Sequence, residues 1–253
     1  MLNIILGLVV FYLIVYGIAI KQNNHGLVDI AWGLGFVISG LIGLINQTLT
    51  WPKVLGFMML IIWGLRLSIY LFMRNYGKVE DPRYQAMRLN WGKHPYLYSF
   101  IQVYLLQAIL LFLINQPFYA LASLNQNQFT YLSVLALIVW LIGFMFEVIG
   151  DHQLNTFRHN PNNKGKLLTT GLRAYTRHPN YFGEALMWWS MSIYAFSVGA
   201  SVYVLLSAVL ITYLLRYVSG VPLLENRYKD RLDFKEYAAK TSVFIPWFQR
   251  KTK

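Results

Sequence analysis

The run Thr130-Tyr131-Leu132-Ser133-Val134-Leu135-Ala136-Leu137-Ile138-Val139-Trp140-Leu141-Ile142-Gly143-Phe144-Met145-Phe146-Glu147-Val148-Ile149-Gly150 is apolar almost throughout. The stretch that follows it, Asp151-His152-Gln153-Leu154-Asn155-Thr156-Phe157-Arg158, is polar. About twenty residues at ~1.5 Å each carry a helix across the ~30 Å hydrocarbon layer of a bilayer. The first run therefore predicts a membrane span over 130–150, and the second its exit into water.

Working outward, six more apolar blocks of similar length cover 2–20, 27–46, 53–73, 97–114, 181–198 and 201–224. With 57% apolar and 13% charged residues, against roughly 25% charged in a soluble domain, the chain is expected to be all-α and polytopic, with seven transmembrane helices. Strands crossing a membrane would show ~10-residue alternation, which is absent. The first block has no basic residue before it and no small-residue cleavage site, so it is expected to be retained rather than cleaved as a signal peptide. After the last span, 225–240 mixes Tyr228, Leu232, Phe234 and Tyr237 with charges, which predicts a cytoplasmic interfacial helix.

Lysine and arginine orient these spans, because positive charge stays on the cytoplasmic side. Loop 21–26 carries one, loops 74–96 and 151–180 five each, and the tail from 225 eight, whereas 47–52, 115–129 and 199–200 carry none. The N-terminus is expected outside and the C-terminus in the cytoplasm, and in a bacterial host the membrane would be the inner one. The net charge of +12 lies in short juxtamembrane loops, which points to anionic lipid and not to nucleic acid. No repeat or linker divides the chain, so 1–253 reads as one membrane domain, with 1–96 on the substrate side and 130–253 as a cofactor-binding region. Ala31, Gly35, Ser39 and Gly43, four apart, predict a close helix–helix contact.

Chemistry concentrates between Glu147 and Glu184. Glu147, Asp151, Asn155 and Arg158 recur at four, four and three residues and share one helix face. The stripe begins inside the apolar block, where a charge costs at least ~2.5–3.5 kcal/mol, so it marks a site facing the bundle interior. Farther on, Pro179 suits the first turn of a helix and disfavours helical geometry at His178. Asn180 and Glu184 then lie one turn apart, and Arg173, Arg177 and the free amides of the helix start form an anion site. His152 and His159 lack the surroundings of a metal site, and with no cysteine thiolate chemistry is excluded. Gly33 and Gly35 lie mid-span with no strand before them, so any nucleotide is held without a Rossmann turn.

Six ordered motifs carry a resemblance: Asp29-Ile30-Ala31-Trp32-Gly33, Trp63-Gly64-Leu65-Arg66-Leu67, Glu80-Asp81-Pro82-Arg83-Tyr84, Arg177 to Glu184, Ser219-Gly220-Val221-Pro222-Leu223-Leu224-Glu225, and Phe244-Ile245-Pro246. Through them the chain resembles the steroid 5-alpha-reductase family, and within it a bacterial branch, domain of unknown function 1295. The resemblance implies a membrane reductase that uses NADPH on a carbon–carbon double bond conjugated to a ketone, in a steroid-like or other lipid substrate. It implies a carbonyl-polarising acid at Asp29, with Tyr70 as the nearest third-helix tyrosine, and a cofactor held among the later helices and cytoplasmic loops. Together the two readings place the cofactor at Glu147, Asp151, Arg158, Arg173, Arg177, His178, Asn180, Glu184, Glu225 and Tyr228. In this reading Asp29 donates a hydrogen bond as a protonated acid.

Isoprenylcysteine and phospholipid methyltransferases, which bind S-adenosylmethionine, share an Arg-His-Pro-x-Tyr turn and a terminal Ile-Pro, but their Glu-Glu pair is represented here only by Leu224-Glu225. A non-enzymatic lipid-binding or transport protein is the third reading. It lacks the inverted repeat common in transporters.

Overall fold

The computed structural model describes residues 1–250, which form helices and no strand. In chain order these are α1 (Leu2–Gln22), α2 (Leu27–Leu44), α3 (Trp51–Asn75), α4 (Pro82–Asn90), α5 (Pro95–Ser99), α6 (Leu106–Ile114), α7 (Gln116–Ser123), α8 (Tyr131–His159), α9 (Pro179–Ser197), α10 (Leu205–Tyr213), α11 (Val221–Glu225) and α12 (Leu232–Lys240). A π-helical stretch, Phe100–Leu105, joins α5 to α6, and another, Leu214–Val218, joins α10 to α11.

Among the described residues six helical segments are long and apolar enough to cross a membrane: Leu2–Gln22, Leu27–Leu44, Trp51–Asn75, Pro95–Ile114, Tyr131–His159 and Val202–Glu225. The all-α, multi-pass fold is as expected, and the span limits agree with the sequence reading to within a few residues. Two differences have physical causes. The block at 181–198 becomes α9, whose Asn180, Glu184, Ser190, Ser192 and Ser197 dilute its apolar character. It is shielded by protein, with Ala185, Met187, Trp188, Met191 and Tyr194 all buried, and a helix that does not face lipid need not be apolar all round. The second difference is that α8 continues to His159, well past the end of the apolar run.

The chain falls into two compact units, 1–129 with 195–204, and 130–194 with 205–253. In the first, α2 packs against α1, α3, α6 and α7. Its tightest approach is to α3: a Cβ at Gly64 would lie 2.7 Å from the Gly33 carbonyl oxygen. The predicted small-residue face meets other neighbours, Gly35 against Leu111 and Phe11, and Gly43 against Ile4 and Ala122. In the second unit α8 and α9 meet in the same way, since a Cβ at Gly143 would lie 2.8 Å from the Gly183 carbonyl oxygen. Each unit thus brings two helix backbones together at a pair of glycines, where side chains would hold them apart.

The predicted interfacial segment divides at a turn. Glu225 ends α11, and α12 begins at Leu232 with Asp233 in its first turn and Lys240 in its last, charges that suit the helix dipole.

Candidate functional site

In the second unit the polar stripe of α8 runs from buried to exposed. Glu147 and Asp151 are buried, whereas Asn155 and Arg158 reach the surface. The α8 backbone at Glu147 lies against α9, since a Cβ at Gly183 would lie 2.7 Å from the Glu147 nitrogen. The start of α9 closes on Gly150, where a Cβ would lie 3.1 Å from Pro179 Cγ. Glu184 and His178 are buried as well, so the sequence-predicted residues of α8 and α9 line up along two helices in close contact.

Arg177 is fully committed. Its Nε and Nη2 donate to the two Glu225 carboxylate oxygens at 2.7 and 3.2 Å, a bidentate pair. Its Nη1 donates to the Ala238 and Thr241 carbonyls at 3.0 and 2.7 Å. His178 Nε2 lies 2.9 Å from the same Glu225 carboxylate. Burial lowers the His178 pKa, the Glu225 hydrogen bond restores part of it, and the Arg173 and Arg177 charges push it down again. The net lowering favours the neutral imidazole.

Beside this cluster lies a cavity of about 230 Å³. Arg158, Lys164, Lys166 and Arg173 bring positive charge to its wall, and the Glu225 that also lines it is already paired with Arg177. Leu154, Phe157, Leu224 and Phe234 supply apolar surface, and Tyr228 and Tyr237 complete the lining. Tyr237 donates to the Arg173 carbonyl at 2.6 Å, and burial pushes its own pKa up to about 12. Arg173 donates one Nη1 bond to the Arg177 carbonyl. Its Nε is buried with no hydrogen-bond partner, and so are His178 Nδ1 and Asn180 Oδ1. Burial lowers the Arg173 pKa, partly offset by nearby Tyr237 and Asp151. Buried polar atoms without partners are rare in a native fold, because each costs about 1–3 kcal/mol.

Six of the ten predicted cofactor residues line this cavity: Arg158, Arg173, Arg177, His178, Glu225 and Tyr228. The wall also contains Lys164, Lys166, Phe234 and Tyr237, which were not singled out as site residues. The two lysines flank the Gly165 turn, and their charge in a basic loop reads as topology. A shallower groove over His152, Gln153, Thr156 and Asn160 adjoins the cavity through Phe157, Asn163 and Leu168.

The first unit holds a second cluster, built by the Glu80-Asp81-Pro82-Arg83-Tyr84 motif. Asp81 caps α4 by accepting from the Arg83 backbone at 2.9 Å and its Nε at 3.0 Å, while Pro82 takes the first helical position. This aims Arg83 and Tyr84 at Asp29. Arg83 Nη2 donates to Asp29 Oδ2 and the Tyr84 hydroxyl to Asp29 Oδ1, both at 2.7 Å. Burial would lower the Arg83 pKa, but Asp29 and Asp81 override it and raise it. Burial first, and Asp29 second, lift the Tyr84 pKa well above the usual phenol range. In this arrangement Asp29 accepts from both partners and donates to neither, and the Tyr84 phenol proton is engaged by its carboxylate. Tyr70 has its ring flanked by the Arg66 and Arg74 guanidiniums, at 5.0 and 5.9 Å.

One turn before Asp29, the His25 backbone donates to Glu80 at 2.7 Å, and Arg88 pairs with the same carboxylate at 2.9 Å. His25 Nδ1 and the buried Tyr104 hydroxyl share a hydrogen bond of 3.1 Å. Burial, then Arg88, lowers the His25 pKa against the opposing pull of Glu80.

Comparison with known proteins gives one family model, described as a protein of unknown function (DUF1295), which matches residues 15–241. An uncharacterized protein of Schizosaccharomyces pombe is 26% identical over 74% of this chain, which spans 62% of the yeast protein's length. No solved structure matches.

Proposed function

We propose that this chain, which belongs to the DUF1295 family, is a membrane-embedded, NADPH-dependent reductase of an enone in a lipid-like substrate. Support for an enzyme of this class comes from the family's association with steroid 5-alpha-reductase-like proteins. The observation that carries the reading is the cavity of the second unit, with five cationic side chains on its wall, of which Arg177 is paired with Glu225, and with the buried Nε donor of Arg173 left unpartnered. Such a wall suits phosphate groups. At about 230 Å³ it lies below the ~300–1,000 Å³ of a pocket for a whole ligand. It would take the phosphate-bearing end of the dinucleotide, with the adjoining groove available to the rest.

Arg158, Lys164, Lys166 and Arg173 would bind the phosphates, and Asn180 and Tyr228 would orient the ribose and base. When bound, the reduced nicotinamide supplies a hydride. Within the first unit, the Tyr84 hydroxyl would turn its one hydrogen bond from Asp29 to the arriving substrate carbonyl, while Arg83 keeps Asp29 paired. A neutral, preorganised donor of this kind stabilises negative charge as it develops on the carbonyl oxygen. The basic loops would place the cofactor side in the cytoplasm.

S-adenosylmethionine is the second reading, favoured by the Arg177–Glu225–His178 cluster, whose residues fall in motifs that membrane methyltransferases share. Its sulfonium is a cation without phosphates, which a wall of five cationic side chains disfavours. Thermal unfolding of the detergent-purified chain with NADPH, NADH and S-adenosylmethionine separates these readings, because a ligand at 100 times its Kd adds ~2.7 kcal/mol. NADPH alone should raise the midpoint. A rise with S-adenosylmethionine alone would transfer the assignment to the methyltransferase.

A further inference from the structure

The C-terminal segment is tied to the second unit by its backbone and turns large apolar side chains outward. Thr176 and Ser242 form a β-bridge, the Arg177 backbone donates to the Ser242 carbonyl at 2.8 Å, and the Thr176 hydroxyl donates to the Phe244 carbonyl at 2.8 Å. Farther along, the Trp247 backbone donates to the Tyr175 carbonyl and the Arg250 backbone to the Lys240 carbonyl, both at 2.9 Å. Phe244 is buried, whereas Ile245, Trp247 and Phe248 are 66%, 69% and 75% exposed. Three large apolar residues held this far out by a fixed backbone need a partner surface.

The depth of the segment identifies that surface. From Tyr131, α8 advances roughly 20 residues to Gly150, about 30 Å at ~1.5 Å per residue, the thickness of the hydrocarbon layer. Pro179 packs against Gly150, and Thr176, to which the segment is bonded, lies three residues before it. The segment is thereby held level with the edge of the hydrocarbon. Trp and other aromatics concentrate at this depth. Arg250 follows the aromatics after Gln249, and the sequence stays basic with Lys251 and Lys253, the charge that anionic headgroups attract.

We infer that residues 245–250 are a membrane-surface anchor, with Ile245, Trp247 and Phe248 seated at the boundary between the headgroups and hydrocarbon of a phospholipid bilayer. The anchor fixes the turn at 175–178, and with it Arg177 and His178 of the cavity wall, at the membrane surface. It depends on the spans and not on the chemistry proposed for the cavity.

The chain contains no cysteine, so a single nitroxide can be attached to it at chosen positions. Ile245→Cys, Trp247→Cys and Phe248→Cys would be labelled and reconstituted in bilayers of phosphatidylcholine with phosphatidylglycerol. Asn160→Cys, at the exposed far end of α8, is the water-facing control. Power-saturation resonance would compare collision with oxygen, which concentrates in lipid, and with a nickel chelate, which stays in water. The oxygen-to-nickel ratio should be several-fold higher at 245, 247 and 248 than at 160. A ratio at those positions equal to that at 160 would overturn the anchor and point to a protein partner on the same face. Three independent positions keep the result readable if one substitution disturbs folding.

Discussion

The two polar clusters differ in what they leave unmade. Around Asp29 the accounts close: its two oxygens accept from Arg83 and Tyr84, Asp81 holds Arg83, and Glu80 takes both Arg88 and the His25 backbone. Around the cavity of the second unit one arginine, Arg177, has all its groups engaged, while Arg173 four residues earlier keeps a buried Nε without a partner. The closed network orders its groups before any ligand comes, and the open one with excess positive charge leaves room for an anion that arrives. The same Arg-x-x-x-Arg spacing thus serves two purposes, and the deciding factor is whether a carboxylate stands opposite.

The largest effect should come from breaking the closed arginine of the second unit. Arg177→Ala strips Glu225 of its bidentate partner and releases Ala238 and Thr241, so unfolding should cost about 3–5 kcal/mol less. Denaturation in mild detergent would measure this, and a loss below about 1 kcal/mol would mean that Arg177 is not structural. Next come the glycine contacts, one in each unit. Gly33→Ala and Gly183→Ala each place a methyl group against a facing carbonyl, and each should destabilise by about 1–3 kcal/mol. A tolerant Gly183 would show that α8 and α9 have room to separate.

The histidines give a smaller, pH-dependent effect. Burial lowers the pKa of both His25 and His178, so the folded chain takes up their protons less readily than the unfolded chain. Their contribution is complete above the ordinary histidine value of ~6.5 and is lost as pH falls through it. The unfolding midpoint should drop on acidification from pH 7.5 to 5.5, and His178→Gln should flatten that slope; an unchanged slope would remove His178 from the account. The smallest stability change is expected at Arg173, where Arg173→Met loses the Nη1 bond to the Arg177 carbonyl but also removes an unsatisfied buried Nε, two opposed effects that should leave stability within about 1 kcal/mol.

The spans were legible because twenty-residue apolar blocks and basic loops follow from bilayer thickness and charge alone. The stripe from Glu147 to Arg158 was legible because helical spacing is local. Less accessible was Tyr84, which reaches Asp29 only because Asp81 caps α4 and turns the helix toward α2, a contact over 55 residues of sequence. Lys164 and Lys166 read as topology until the fold put them on a cavity wall. The C-terminal segment is held by backbone bonds, which depend little on side-chain identity. For α9, apolarity understates a helix whose neighbours are protein.

NADPH affinity, measured by equilibrium binding to the detergent-purified protein and to its Arg173→Met and Arg83→Met variants, tests the contrast most directly. A loss of tenfold or more is expected in Arg173→Met and wild-type affinity in Arg83→Met, because only the second unit's open cluster would meet the cofactor. Equal affinities in all three proteins, or a loss confined to Arg83→Met, would contradict it.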